Sequence, residues 1–338
     1  MKKIMNTADQ FVDEALEGII CTHWDALKFT QHDRRGVVRR RAPAKGKVAI
    51  ATGGGAGHLP LFLGYVGEGL ADGVSVGNVF TSPSADTMYE VAREIEGGEG
   101  VLFLYGNYFG DKMNFEVAKD MLEDEDIKTE SVIISDDIAS ASRDKWQERR
   151  GVAGLYFAYK IAGAAAAKGH SLKEIKRVTE KAAENLATMG VAISPCTIPE
   201  SGRSTFEIGE NEMEIGMGIH GEPGIERDTL QTAREITKQI VDRLLSDINV
   251  RAEEEVAVLI NGAGATPLEE LYIVANETNK LLHSYEISIY SMKVGEYATS
   301  LEMGGCSISM CKVDEELKEL LEAGAYSPFI RHEEGGSK

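Results

Sequence analysis

Three short apolar runs in this chain each end in a glycine-rich turn, and that repeated junction limits the folds open to it. Lys47–Thr52 runs into Gly53-Gly54-Gly55-Ala56-Gly57-His58-Leu59-Pro60. Val101–Tyr105 runs into Gly106-Asn107-Tyr108-Phe109-Gly110-Asp111, and Val256–Asn261 into Gly262-Ala263-Gly264-Ala265-Thr266-Pro267. Runs this short and this apolar read as buried strands. Ser131–Ile134, Glu286–Val294 and Ser307–Val313 read the same way.

Helical spacing fills the intervals. Residues 6–20 carry Phe11, Val12, Ala15, Leu16 and Ile19 on one side. Further helices are predicted over Asp86–Glu96 with Ser84 as cap, from about Met113, over Gly151–Lys168, Leu172–Met189 and Arg227–Asp247, after a Thr266 cap, and over Glu315–Ala323. Pro267 is expected in the first position of the helix that Thr266 caps. Strands alternating with helices give an α/β protein with mixed sheets flanked by helices. A length of 338 residues suggests two domains, 1–190 carrying His58 and Asp111 and 191–338 carrying His220. Two stretches read as irregular: Gly67–Ser84, rich in glycine, and the arginine-bearing connection around Arg34, Arg35 and Arg39–Arg41, which is expected as a solvated loop. The tail, Glu333 to Lys338, is expected to fray.

The second unit contains Gly216-Met217-Gly218-Ile219-His220-Gly221-Glu222-Pro223-Gly224. Four glycines and a proline exclude a helix interior or a regular strand. An ordered loop that presents the imidazole remains. His58 has a similar glycine setting, so the chain holds two glycine-lined histidines. Familiar alternatives fail on spacing. From Gly53 the sixth residue is His58, so the dinucleotide fingerprint is broken, and no G-x-x-x-x-G-K-[ST] phosphate loop occurs. A Gly-x-Ser-x-Gly elbow and a His-Glu-x-x-His zinc helix are also absent.

Charge and cysteine usage narrow the function classes. Thirty-six basic against 55 acidic side chains give a net charge of −19, which argues against binding a phosphate backbone. Cys21, Cys196, Cys306 and Cys311 share no metal-ligand spacing and suit a reducing compartment. Neither a secretory leader nor a run of transmembrane length is present, and a cytoplasmic protein without membrane or nucleic-acid partners is expected. No metal site is expected. The Asp136–Asp137 pair is read as a strand-end turn. Asp111, past the carboxyl end of a strand, has two readings: a helix cap, or a residue of a ligand-binding loop.

At these residues the chain resembles the substrate-binding K subunit of dihydroxyacetone kinases. The resemblance rests on six motifs in one order: Gly53 to Pro60, Phe80 to Pro83, Asn107 to Phe115, Arg149 to Gly151, Gly216 to Gly224 and Gly264 to Pro267. It covers nearly the whole chain. It implies a two-domain α/β subunit forming a homodimer, with dihydroxyacetone or a related short ketose held as a hemiaminal on His220. It implies Asp111 as the base and His58 as the group that orients the substrate, with Gly55, Ala56, Gly57, Ser82 and Gly106 lining the site. It also implies that ADP or ATP with Mg²⁺ sits on a separate L subunit, none of it on this chain, with the phosphoryl group supplied by a phosphotransferase relay in one branch of the family and by free ATP in another.

Two positions depart from the family pattern. Leu59 replaces a glutamate after the first histidine, and Gly106 stands where a lysine is common. Both remove polar reach near the ligand. They leave open a four-carbon ketose such as erythrulose, and a non-catalytic coactivator paralogue that only senses the ketone.

Overall fold

The first glycine run does not end its strand. In the computed structural model, which describes residues 2–334, the first sheet contains β1 (Leu27–Phe29), β2 (Gly36–Arg39), β3 (Ala49–Ala56), β4 (Gly73–Val79), β5 (Val101–Gly106) and β6 (Thr129–Ile134). Gly53, Gly54 and Gly55 stay in β3, paired in parallel with Ser75, Val76 and Gly77 of β4, and a bulge follows at Ala56. The expected turn is therefore strand. Its glycines answer to close approach: a Cβ on Gly54 would overlap the Phe62 ring, and one on Gly55 would lie 2.7 Å from the Thr81 nitrogen.

The sheet order is β1-β2-β4-β3-β5-β6, with the last four parallel and β1 and β2 antiparallel. Two of these strands fall in stretches read as irregular. β2 forms inside the arginine-rich connection because Arg39 pairs with the buried Asp72 and Asp72 also accepts the Ile50 N–H at 2.8 Å. β4 forms in the glycine-rich segment because Gly73, against Val91 and Ile95, has no room for a side chain.

The helices are α1 (Phe11–Thr22), α2 (Ala85–Ile95), α3 (Phe109–Glu123), α4 (Leu155–Ala167), α5 (Leu172–Glu184), α6 (Ala233–Asp247), α7 (Leu268–Ser284) and α8 (Glu315–Glu322). Ser84 caps α2 as expected, accepting the Thr87 N–H. Thr266 does not cap α7: its hydroxyl donates to the Gly305 carbonyl at 2.6 Å and accepts the Gly305 N–H at 2.8 Å, leaving Pro267 at the cap position. The helix expected to run to Met189 stops at Glu184. Leu186, Ala187 and Met189 instead align with Cys311, Met310 and Ile308 in the second sheet.

That sheet has the order β11-β10-β12-β7-β8-β9, formed by β7 (Leu186–Ser194), β8 (Glu212–Ile215), β9 (Glu226–Thr229), β10 (Glu255–Gly262), β11 (Ser288–Gly295) and β12 (Gly304–Lys312). Only β10–β11 is parallel among its pairs. A small ribbon of β13 (Ala325–Tyr326) and β14 (Arg331–His332) follows α8. Residues 335–338 of the tail expected to fray lie outside the described residues.

Alternation along β10 shows how the layers stack. Ala257 and Leu259 join the core built on α1, α4, α5 and α8, while Val256, Val258 and Ile260 join the core under α6 and α7. α4, buried from Leu155 to Ala166, therefore lies between the two sheets. α2 and α3 cover the outer face of the first sheet. A division of the chain at residue 190 would cut through β7, and α8 packs back on α4. The α/β class with two mixed sheets is borne out.

Candidate functional site

The carboxyl ends of β3 and β5 bring two expected residues to one edge of the first sheet, where ligands of open α/β sheets gather. His58 follows β3 and is buried. Its Nδ1 lies 2.7 Å from the Thr299 carbonyl. A carbonyl only accepts, so Nδ1 carries the hydrogen and Nε2 keeps a lone pair. That Nε2 is buried without a partner. Burial, with the nearby charge of His220, lowers the His58 pKa to about 3 and keeps the ring neutral. The segment 299–301 fixes the loop further: Leu301 N–H donates to the Gly57 carbonyl at 2.7 Å, and the Thr299 hydroxyl to the Leu59 carbonyl at 3.0 Å.

Asp111 is neither a cap nor a loop residue. The cap position of α3 belongs to Tyr108, and Asp111 sits buried in the first turn. Its Oδ1 has no partner. Burial raises its pKa to about 6, against the opposing pull of the Ser82 hydroxyl and the His220 charge. Ser82 lies against this turn, its Oγ 2.6 Å from where a Cβ on Gly110 would stand.

His220 arrives from the other sheet, in the loop joining the antiparallel strands β8 and β9. Gly216 and Gly221 take φ of 82°, a region glycine enters freely, and Gly216 N–H donates to the Gly190 carbonyl at 2.7 Å. The His220 ring stands edge-on to His58 at 4.8 Å between centroids, to Tyr108 at 4.8 Å and to Phe80 at 5.3 Å. Phe80 stacks on His58 at 4.8 Å. The His220 Nδ1 lies 3.0 Å from Glu222 Oε1. Burial would raise Glu222, but the hydrogen bond and charge of His220, with Arg150, outweigh it and hold the carboxyl at about 2.

The lining residues fall into two sets. Gly55, Ala56 and Gly57 form the wall beside Phe80: the Phe80 N–H donates to the Ala56 carbonyl at 3.0 Å, and a Cβ on Gly57 would meet the Phe80 ring at 2.8 Å. Gly106 stands one ring further out. A Cβ there would face the Gly151 carbonyl at 3.3 Å, Leu155 at 3.4 Å and the Tyr108 ring at 3.4 Å. Leu59 lines an apolar cavity of about 230 Å³ with α1, and neither His220 nor Asp111 belongs to that lining.

Four residues beyond the expected set shape the site: Phe80, Tyr108, Glu222 and Arg150. Phe80 sits at φ 57°, a conformation a bulky residue rarely adopts, which only the structure reveals. Asp136 and Asp137 are committed to protein groups. Asp136 accepts the N–H groups of Val152 and Gly154, each at 2.8 Å, and Asp137 pairs with Arg150 at 2.7 Å. Asn107 pins the turn carrying Arg150 by donating to the Arg149 carbonyl at 2.6 Å.

His58, with its unpartnered Nε2, and the Asp111 carboxyl thus lie close to a second imidazole, that of His220, in a site walled by aromatic rings. This arrangement can bind a small polyol-like molecule, accept a proton from it and offer a nitrogen nucleophile. Among the described residues no helix is long and apolar enough to cross a membrane.

A Dak1 domain model matches residues 17–329. The dihydroxyacetone-binding subunit of PTS-dependent dihydroxyacetone kinase 2 from Listeria innocua is 42% identical over 331 residues, covering 98% of this chain and 99% of that protein. D-erythrulose kinase from Mycolicibacterium smegmatis is 41% identical over 331 residues, covering 98% of this chain and 57% of that protein. The crystal structure of the dihydroxyacetone kinase of C. freundii superposes with a TM-score of 0.90 at 30% identity, covering 98% of this chain and 60% of that one. The chain belongs to the Dak1 family.

Proposed function

We propose that this chain is the ketone-binding subunit of a phosphotransferase with an alcohol acceptor, and that dihydroxyacetone is its substrate. The observation that carries the reading is the convergence of His58, Asp111 and His220 from three separate elements. The His220 nitrogen opposite Nδ1 adds to the carbonyl carbon. A C–N bond forms, the C=O π pair moves to oxygen, and that oxygen takes a proton from water, giving a hemiaminal. A carbonyl is required, so glycerol is rejected. This matters because a molecule with so few atoms offers little non-covalent affinity.

The His58 lone pair orients a terminal hydroxyl by accepting its hydrogen. Asp111 takes the proton of the hydroxyl that attacks phosphorus. Dihydroxyacetone phosphate results. The donor is a nucleotide with Mg²⁺ on a separate L subunit, recharged by a phosphotransferase relay, since phosphoryl transfer needs a charge-neutralising cradle that this sequence does not spell out. A homodimer in the cytoplasm completes the reading. Leu268, Tyr272 and Ile273, exposed on α7 near the free edge of β11, suit its interface, and sedimentation of the purified chain tests it.

A second reading has support in the 41% identity to a D-erythrulose kinase: a four-carbon ketose is the preferred substrate. The deciding experiment supplies the purified chain with its L subunit and relay, or with ATP and Mg²⁺ alone, and screens short ketoses. Turnover is expected only with the L subunit. Steady turnover by the single chain with ATP would overturn the two-subunit reading.

A further inference from the structure

Glu222 does more than close a loop. Its carboxylate uses both oxygens on one residue: Oε2 accepts the backbone N–H of His220 at 2.9 Å, and Oε1 lies 3.0 Å from the same residue's Nδ1. An ionised carboxylate has no hydrogen to give, so the hydrogen of that bond belongs to Nδ1 and the ring's lone pair is left on Nε2. Arg150 backs the carboxylate from the connection between β6 and α4. Its Nη1 is 3.7 Å from Glu222 Oε2, its Nε donates to Asp137 at 2.8 Å, and its Nη2 reaches the Gly216 carbonyl at 3.2 Å. The guanidinium thus ties the end of β6 to both ends of the His220 loop. Gly218 completes the fit, because a side chain there would overlap both the Glu222 carboxylate and Arg150.

We infer that Glu222, held by Arg150, is the positioning residue that fixes His220 in the tautomer whose Nε2 is nucleophilic and balances the charge of the adduct. The inference rests on the proposed covalent role of His220. When Nε2 bonds to the carbonyl carbon, the ring keeps its Nδ1 hydrogen and becomes an imidazolium. The facing carboxylate offsets that charge, as a carboxylate behind a histidine does elsewhere. A neutral amide in its place can turn its NH₂ toward Nδ1. That selects the opposite tautomer and puts the hydrogen on Nε2, where it blocks attack.

Three variants and one spectroscopic readout test this. With ¹⁵N-labelled histidine, NMR of the unliganded native chain is expected to show the His220 hydrogen on Nδ1. Titration with dihydroxyacetone, followed by intact mass, is expected to show adduct affinity reduced at least tenfold in Glu222→Gln and partly restored in Glu222→Asp. A native His220 with its hydrogen on Nε2, or a Glu222→Gln adduct affinity within twofold of native, would overturn the inference. The native-chain spectrum decides even if a variant fails to fold. His220→Ala separates the two levels: an adduct persisting there defeats the covalent reading itself, whereas its loss alongside an unaffected Glu222→Gln defeats only the role of Glu222.

Discussion

His58 gives its Nδ1 hydrogen to the carbonyl of Thr299, 2.7 Å away and on the connection between β11 and β12. One hydrogen bond between the two halves of the chain thereby decides which nitrogen of His58 faces the site. Its buried, unpartnered Nε2 is an acceptor waiting for a hydroxyl, and a buried acceptor left unmet is costly. The ligand that satisfies it gains accordingly. His58→Ala is therefore expected to weaken ketone binding roughly tenfold or more, in line with the loss of one buried hydrogen bond, while leaving the covalent adduct detectable at high ketone. Calorimetric titration beside intact mass checks both halves.

Asp111 combines burial with a free oxygen, and its pKa of about 6 sets a pH limb. A base must be ionised to accept a proton. The rate is thus expected to be half-maximal near pH 6, full about a unit above it, and to fall toward tenfold per unit well below it. Asp111→Asn should remove that limb, retain ketone binding and lower kcat roughly 10²–10⁴-fold, measured with the nucleotide-bearing partner. A near-normal kcat in this variant would return Asp111 to a purely structural role.

Gly55 tests the close approach at the end of β3. The added methyl of Gly55→Ala would stand 2.7 Å from the Thr81 nitrogen and 3.0 Å from the Phe80 backbone, neither of which is the end of a flexible side chain. Overpacking of this kind costs about 1–3 kcal/mol. A lower melting temperature and weakened ketone binding are expected together, since Phe80 stacks on His58.

Gly106 tests specificity. A lysine there starts against Gly151, Leu155 and the Tyr108 ring and has to pass that ring to reach His220. It takes up volume and adds a donor. Gly106→Lys is expected to move the ratio of kcat/KM for three- over four-carbon ketoses upward, on the order of tenfold. An unchanged ratio would show that Gly106 has no part in substrate choice.

What the sequence disclosed, and what it hid, follows from the range of the interactions. Apolar runs such as Val101–Tyr105 and Val256–Asn261 announce buried strands by themselves, and Ser84 announces a cap. The β3 glycines misled because glycine is locally a turn signal. Only the Phe62 ring and the Phe80–Thr81 backbone, brought in by the fold, make Gly54 and Gly55 obligatory within a strand. β2 and β4 were hidden for the complementary reason: their polar and glycine-rich sequences become strand where Arg39 meets a buried Asp72 and where Gly73 meets α2. In the site, His58 and His220 stood out through their glycine frames. Glu222 was visible in its motif, but its bond to the imidazole depends on a loop geometry that the spacing alone does not dictate. Arg150 and Tyr108 join the site only where the two halves of the chain meet, Arg150 beside Glu222 and Tyr108 beside His220.

The central claim is a hemiaminal on His220, and the intact mass of the purified chain with dihydroxyacetone tests it most directly. Imidazole, unlike a lysine amine, cannot lose water to an imine. The account predicts a mass increase equal to the whole ketone, no trapping by borohydride, and no adduct in His220→Ala. An adduct that survives His220→Ala, or one that borohydride fixes onto a lysine, would contradict it.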